Sequence, residues 1–148
     1  MFRYTRTLYL RDTDAAGIAY FASILSICHE AYEASLTAAA APLADLLLQG
    51  DVAIPVIEAS ARFLQPLCCG DICEVQLVPQ HWQAHRFAIA YQLYIAAEHA
   101  DGSAANSAQS KPAATALTQH YSIHPATRQR QPLPEALWRW YQLWAETV

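Results

Sequence analysis

The chain has 148 residues, which suits one domain built around one hydrophobic core. Apolar residues make up 54% of it and charged residues only 15%, which indicates that part of the surface is covered by another subunit. The formal net charge is −4 without a dense Lys/Arg cluster, which argues against nucleic-acid binding. No apolar run approaches the roughly 20 residues that cross a bilayer, and the N-terminus lacks a signal-peptide core, so we expect a cytoplasmic protein.

Hydrophobic periodicity predicts strands separated by helices. Alternation over residues 2–10 predicts a first strand, and apolar residues three and four apart predict a long helix over 21–40. Pro42 ends that helix or starts a second, short one at 42–48. An apolar stripe over 135–147 predicts a C-terminal helix that docks on its own domain. Four further strands are expected at 52–64, 72–79, 86–98 and 113–124.

Two irregular segments are expected among these strands. Ile54-Pro55-Val56 indicates an edge strand or a bulge, because proline cannot donate a ladder hydrogen bond. The segment 99–112, rich in Ala, Ser, Gly and Asn, predicts a mobile hairpin loop. The order of one strand, one long helix and four strands predicts a single α+β domain over 1–148, with an antiparallel sheet wrapped around the helix.

Cysteine and histidine spacing does not indicate a metal site. Cys68 and Cys69 are adjacent, and with Cys28 and Cys73 they do not match a zinc-binding pattern, so we expect four reduced, mostly structural thiols. Four of the six histidines form two pairs at a spacing of four residues, His81 with His85 and His120 with His124, each without a nearby third ligand. We therefore expect no bound metal.

The most informative residues are Asp12 to Phe21, with the sequence Asp-Thr-Asp-Ala-Ala-Gly-Ile-Ala-Tyr-Phe. They place a carboxylate and a glycine turn just before the long predicted helix. The start of a helix has unpaired backbone N–H groups and the positive end of the helix dipole. A carboxylate facing such a start is suited to acyl transfer, because the N–H groups stabilise an oxyanion. The alternative is that Asp12 and Asp14 serve only as turn and cap residues.

The stretch from Asp12 to Ile18, between the first strand and the helix, resembles the hotdog-fold acyl-CoA thioesterases of the 4-hydroxybenzoyl-CoA thioesterase type. Similar stretches follow at Cys28–Ser35, at Ile54–Ser60, and at Cys69–Asp71 with Ala84–Phe87. The resemblance covers residues 1–125 and implies the hotdog fold, followed here by a C-terminal helix. It implies hydrolysis of an aromatic acyl-CoA, above all 1,4-dihydroxy-2-naphthoyl-CoA of phylloquinone (vitamin K1) synthesis. Coenzyme A enters as part of the substrate, and no other cofactor is implied.

The resemblance also implies roles for individual residues. Asp14 takes the position of the catalytic carboxylate, and the backbone N–H of Phe21 takes that of the oxyanion donor. His29 falls where a ring substituent of the acyl group is recognised, although it could instead be an ordinary core histidine. Relatives place basic residues against the phosphates of coenzyme A in the turn that contains His85 and Arg86. The expected substrate-binding residues are Tyr20, His29, Pro55, Val56, His85 and Arg86.

Several alternatives remain open at this point. Another hotdog subgroup has its catalytic Glu on the central helix, which makes Glu30 and Glu33 competitors of Asp14. Asp14 could attack the thioester itself or activate a water molecule. The resemblance implies a homodimer with its site between subunits, or a dimer of dimers. Other candidate functions are hydrolysis of another acyl-CoA such as 4-hydroxybenzoyl-CoA, non-catalytic acyl-CoA binding, and dehydration, for which the motif around His29 does not match.

Overall fold

The computed structural model of the protein describes residues 1–48, 50–96 and 111–145. In this part of the chain, five antiparallel strands form one sheet that wraps around a long helix. The elements are β1 (Phe2–Thr7), a 3-10 turn (Leu10–Asp12), α1 (Phe21–Ala38), α2 (Leu43–Leu48), β2 (Val56–Phe63), β3 (Ile72–Gln83), β4 (Arg86–Ile95), β5 (Ala114–Tyr121) and α3 (Glu135–Trp144). The predicted α+β architecture is confirmed. Most of the predicted 99–112 loop lies outside the described residues.

The strands lie in the order β1-β3-β4-β5-β2, so β1 and β2 form the two edges of the sheet. The first strand is shorter than predicted, because the chain turns into the 3-10 turn after Thr7. The third strand is longer and runs four residues past Pro79. A bulge between Gln80 and Gln83 lets it continue, and His81 there has a φ of 52°. The predicted end of this strand at residue 79 was therefore four residues too early.

The core lies between α1 and the concave face of the sheet. One stripe of α1 is fully buried against inward-facing residues of β3 and β4, as its spacing predicted. Helix α3 packs beside α1 and against β3, and two of its indole groups donate hydrogen bonds to α1. Trp140 Nε1 donates to Ser35 Oγ at 2.8 Å, and Trp144 Nε1 donates to the Ser35 carbonyl at 3.1 Å. The C-terminal helix thus packs on its own domain, as expected.

Strand β2 has exposed side chains on both faces over almost its whole length. Val56, Ile57 and Phe63 are 44%, 45% and 52% exposed, although they are large and apolar. The expected irregularity is present as well, since the pairing register with β5 shifts between Val56 and Glu58. An apolar edge strand of this kind leaves backbone donors and acceptors free to pair with another strand.

The four cysteines are free thiols in two different environments. Cys28 and Cys73 are buried in the core, and Cys68 and Cys69 are exposed. Burial raises the pKa of both core thiols, that of Cys73 to about 12, which keeps them unreactive. None of the helices in the described ranges is long and apolar enough to cross a membrane.

Candidate active site

A tight loop between β1 and α1 presents the side chain of Asp14 to solvent. The Asp14 N–H donates to the Ile18 carbonyl at 2.9 Å, and the Gly17 N–H donates to the Asp14 carbonyl at 3.0 Å. Gly17 has a φ of +75°, a conformation that other residues rarely adopt, so glycine is required at this point of the loop. The Tyr20 N–H then donates to the Asp12 carbonyl at 2.8 Å, which brings the loop back to the start of α1.

The two oxygens of the Asp14 carboxylate have different environments. Oδ1 accepts hydrogen bonds from the N–H groups of Ala16 at 2.8 Å and Ile18 at 3.4 Å. Oδ2 has no hydrogen-bond partner among the described residues. The proposed turn role of Asp14 is therefore real, but it occupies one oxygen only. The other oxygen is available to attack a carbonyl carbon or to accept a proton from water.

The first turn of α1 keeps its positive end unneutralised. The side chain of Tyr20, the residue before the helix, makes no capping hydrogen bond, and no acidic residue lies in the first turn. Within the described part of the chain, the N–H of Phe21 has no acceptor. Such an N–H at a helix start is a suitable donor to a developing oxyanion.

Asp14 and the start of α1 line one cavity of about 520 Å³. Tyr20 and Phe21 are 46% and 62% exposed there, and Phe63 from the end of β2 forms the opposite wall. The cavity is mainly apolar, with Asp14 as its ionisable group, which suits a thioester and an apolar acyl group. Its lining residues are Asp14, Ile18, Ala19, Tyr20, Phe21, Ile24, Phe63, Leu64, Gln65, Pro66, Leu67 and Ala114.

His29 lies in a second cavity of about 260 Å³ between α1 and β2. Val56 lines the same cavity, and the imidazole of His29 contacts Glu33 at 3.2 Å. Eight residues of α1 separate His29 from Phe21, which corresponds to about 12 Å along the helix. Within one chain, the structure therefore groups Asp14, Tyr20 and Phe21 in one cavity, and His29 with Val56 in another.

The competing carboxylates on α1 have structural partners. Glu30 accepts two hydrogen bonds from Arg6 Nη1, at 2.8 and 2.9 Å, and one from the Tyr4 hydroxyl at 3.3 Å. These contacts turn Glu30 towards β1, at the opposite edge of the sheet from β2. Glu33 pairs with His29, and neither glutamate lines the Asp14 cavity. The positions of both carboxylates favour Asp14 as the reacting group.

Arg6 is a residue of the site region that the sequence did not reveal. Its guanidinium is buried on the inner face of β1, where it pairs with Glu30 and, through Nη2, with Asp12. Asp12 is buried too, and its carboxylate also accepts the Tyr9 N–H at 2.8 Å. This ion pair holds the beginning of the Asp14 loop against the sheet. The signal was a single charged residue on the inward side of an alternating strand, which is unusual in a core.

The remaining predicted residues lie at the end of the sheet that also holds Val56 and His29. Pro55 directly precedes β2, and its carbonyl accepts the Tyr121 N–H at 3.2 Å. His85 lies in the turn between β3 and β4, and Arg86 begins β4, where its Nε donates to Gln83 Oε1 at 2.7 Å. Arg130 lies over the Tyr121 ring at 4.4 Å, and the sequence had not singled it out. With His85 and Arg86, it adds a third basic group at this end.

Comparison with known proteins identifies the family of the chain. Residues 9–141 match the family model of the thioesterase-like superfamily. The 1,4-dihydroxy-2-naphthoyl-CoA hydrolase of Picosynechococcus sp. is 42% identical over 139 residues, which cover 94% of this chain and 90% of that protein. That of Rippkaea orientalis is 44% identical over 137 residues, covering 93% and 92%. The crystal structure of a 1,4-dihydroxy-2-naphthoyl-CoA thioesterase from Synechocystis is similar with a TM-score of 0.83 at 34% identity, covering 95% of both chains. On this evidence, the chain belongs to the thioesterase-like superfamily and has its hotdog fold.

Proposed function

We propose that the protein hydrolyses 1,4-dihydroxy-2-naphthoyl-CoA to 1,4-dihydroxy-2-naphthoate and coenzyme A, a step of phylloquinone synthesis. The observation that carries this proposal is the cavity shared by Asp14 and the start of α1. It combines a carboxylate oxygen without a partner and a backbone N–H without an acceptor. The substrate named for the similar cyanobacterial hydrolases supports the identity of the acyl group.

The chemistry follows from these two groups. The thioester oxygen accepts a hydrogen bond from the Phe21 N–H, which stabilises the negative charge that develops there by about 3 kcal/mol. The free oxygen of Asp14 then attacks the carbonyl carbon, and water later cleaves the resulting anhydride. Alternatively, Asp14 removes a proton from water, which attacks instead. In both routes the C–S bond breaks, and the thiolate of coenzyme A leaves and takes up a proton.

We infer that the active protein is a dimer in which β2 pairs with β2 of a second copy. The support is the apolar exposed edge of β2 and the open side of both cavities beside it. Two identical strands related by a two-fold axis run antiparallel. The Val56 end of one strand then lies beside the Phe63 end of the other. The cavity with His29 of the partner subunit thereby faces the cavity with Asp14. The assembly of two such dimers into a tetramer and the location of the protein in the cytoplasm remain predictions.

A mixed-dimer experiment tests this arrangement. Asp14→Asn removes the carboxylate, and His29→Trp fills the second cavity, so we expect both homodimers to be nearly inactive. In a mixed dimer with sites shared between subunits, one site has both changes and the other has neither. Random mixing should therefore restore about one quarter of the wild-type activity. Thiol release after co-refolding measures the recovery, and sedimentation gives the assembly size. No recovery, or an active monomer at micromolar concentration, would contradict the shared site.

The proposed substrate is tested by thiol release over a panel of acyl-CoA thioesters. We expect kcat/KM for 1,4-dihydroxy-2-naphthoyl-CoA to exceed that for palmitoyl-CoA by about tenfold or more, because the Tyr20 and Phe21 rings suit a flat aromatic group. Palmitoyl-CoA as the best substrate would overturn the aromatic assignment. A preference for 4-hydroxybenzoyl-CoA would move the assignment to a smaller ring. Tight binding of all thioesters without thiol release would indicate a binding module.

A further inference from the structure

Three buried polar side chains from β4 and β5, here called the polar row, lie at one wall of the second cavity: Tyr91, Thr118 and His120. The Tyr91 hydroxyl lies 3.3 Å from Thr118 Oγ1, and Thr118 Oγ1 lies 2.8 Å from His120 Nε2. The three residues are only 2%, 7% and 1% exposed. Tyr91 and Thr118 line the cavity, together with Ser26 and His29 from α1. Four side chains that can form hydrogen bonds thus converge on one small space.

The polar row is uncharged at neutral pH. Burial and, to a smaller extent, the nearby His29 lower the pKa of His120 to about 4, against a smaller opposing effect of the Ile54 backbone. The ring of His120 stacks on Phe87 with centroids 4.8 Å apart and contacts Tyr32 at 5.2 Å. Burial also raises the pKa of Tyr91 well above its ordinary value. Both titratable members therefore stay neutral where an enzyme of this kind works.

A purely structural role does not account completely for the polar row. Buried polar groups in a closed core normally satisfy one another. Here the nearby Tyr32 hydroxyl and His120 Nδ1 have no hydrogen bond of normal geometry among the described residues, although the Ile54 backbone lies near His120 and both residues are 1% exposed. The other end of the polar row, at Tyr91 and Thr118, lies at a cavity rather than against packed side chains. Hydrogen-bonding capacity is thus held in place at the cavity wall and is left incomplete.

We propose that Thr118, supported by His120, makes the enzyme specific for hydroxylated aryl groups by hydrogen-bonding a ring hydroxyl in the cavity where His29 was expected to recognise a ring substituent. This inference rests on the proposed function and refines it. A hydroxyl both donates and accepts, so it can hydrogen-bond to the neutral polar row whichever way the protons of that row are arranged. A carboxylate at the same place would be buried without a cation from this wall, which is unfavourable. The specificity is therefore for a neutral hydroxyl.

The test compares two substrates in one enzyme preparation, 1,4-dihydroxy-2-naphthoyl-CoA and unsubstituted 2-naphthoyl-CoA. Thr118→Val keeps the shape of the side chain and removes its hydroxyl. We expect kcat/KM for the dihydroxy substrate to fall by about 10- to 100-fold, because a substrate hydroxyl is left unpaired in a buried site. The value for 2-naphthoyl-CoA should change less than about threefold. Since both substrates meet the same protein, a general loss of stability cancels in their ratio.

Two further variants complete the experiment. Thr118→Ser restores the hydroxyl and should restore most of the preference, and it serves as the main variant if Thr118→Val does not fold. Thr115→Val makes the same change on the outer face of β5, opposite Arg62, and should leave both substrates unaffected. Equal losses on both substrates in Thr118→Val, or a wild-type enzyme without preference for the dihydroxy substrate, would overturn this inference while the thioesterase activity stands. A wild-type enzyme inactive on both substrates would overturn the proposed function itself.

Discussion

The Asp14→Asn protein is expected to fold normally and to lose about 10²- to 10⁴-fold in kcat. Asparagine keeps the size of the side chain, and its oxygen can still accept from the Ala16 and Ile18 N–H groups that hold the loop. It can neither attack a thioester nor accept a proton from water. Because the Phe21 N–H and the cavity walls remain, substrate binding should change little. Single-turnover thiol release, with binding measured separately, distinguishes the two effects.

The matched control is Glu33→Gln, which makes the same chemical change on an exposed residue of α1 that pairs with His29. It should reduce kcat by less than tenfold, since Glu33 does not line the Asp14 cavity. Melting curves of both variants should be close to wild type, because a solvent-exposed turn residue contributes at most about 1–2 kcal/mol. A folded Asp14→Asn protein with nearly normal turnover would contradict the mechanism and shift attention to Glu30 and Glu33.

The Arg6→Met protein should lose about 3–5 kcal/mol of unfolding free energy. The guanidinium of Arg6 is 8% exposed and is the cation that faces the carboxylates of Asp12 and Glu30 on the inner side of β1. Methionine fills similar space but leaves the buried carboxylate of Asp12 with only the exposed guanidinium of Arg11, whose Nε lies 3.9 Å from Oδ1. Urea unfolding at a fixed protein concentration measures the loss, since the concentration of a dimer affects its apparent stability.

Two comparisons isolate the buried ion pair. Arg11→Met removes an arginine whose side chain is 75% exposed and whose Nε lies 3.9 Å from the same Asp12 carboxylate, and it should lose no more than about 1 kcal/mol. Adding Asp12→Asn to Arg6→Met should recover part of the lost stability, because the buried charge is then removed. Similar losses for Arg11→Met and Arg6→Met would show that the buried pair contributes no more than a surface contact.

The sequence predicted the elements of the fold well because their burial patterns are regular. The stripe on α1 and the alternation in β5 each follow one periodicity, and the structure places these elements close to where they were expected. The errors occur where tertiary contacts override local signals. Strand β3 continues past Pro79 because β4 pairs with it and a bulge absorbs the irregularity. Strand β1 stops early because the chain turns into the 3-10 turn at Leu10–Asp12.

The candidate site was predictable where its signal is local. The Asp14 loop, its glycine and the start of α1 are contiguous in sequence, and the structure brings them to one cavity. The polar row of Tyr91, Thr118 and His120 was not predicted, because its members come together only when β4 and β5 pair. His29 was expected beside the ring of the substrate, but a helical pattern reveals a face and not the element that this face meets. Its separation from Asp14 within one chain was therefore invisible.

The strand order has a consequence for how the molecule assembles during folding. Only β3 and β4 are joined by a short turn, at Ala84 and His85, so this hairpin closes a small loop. The edge strands pair over much longer loops, with Phe2 opposite Leu77 and Phe63 opposite Ala114. Closing a long loop carries a larger entropic penalty than closing a short one, and non-local contacts slow folding. The two strands that flank the Asp14 cavity, β1 before its loop and β2 at its wall, are thus the ones whose pairing is least favoured early in folding.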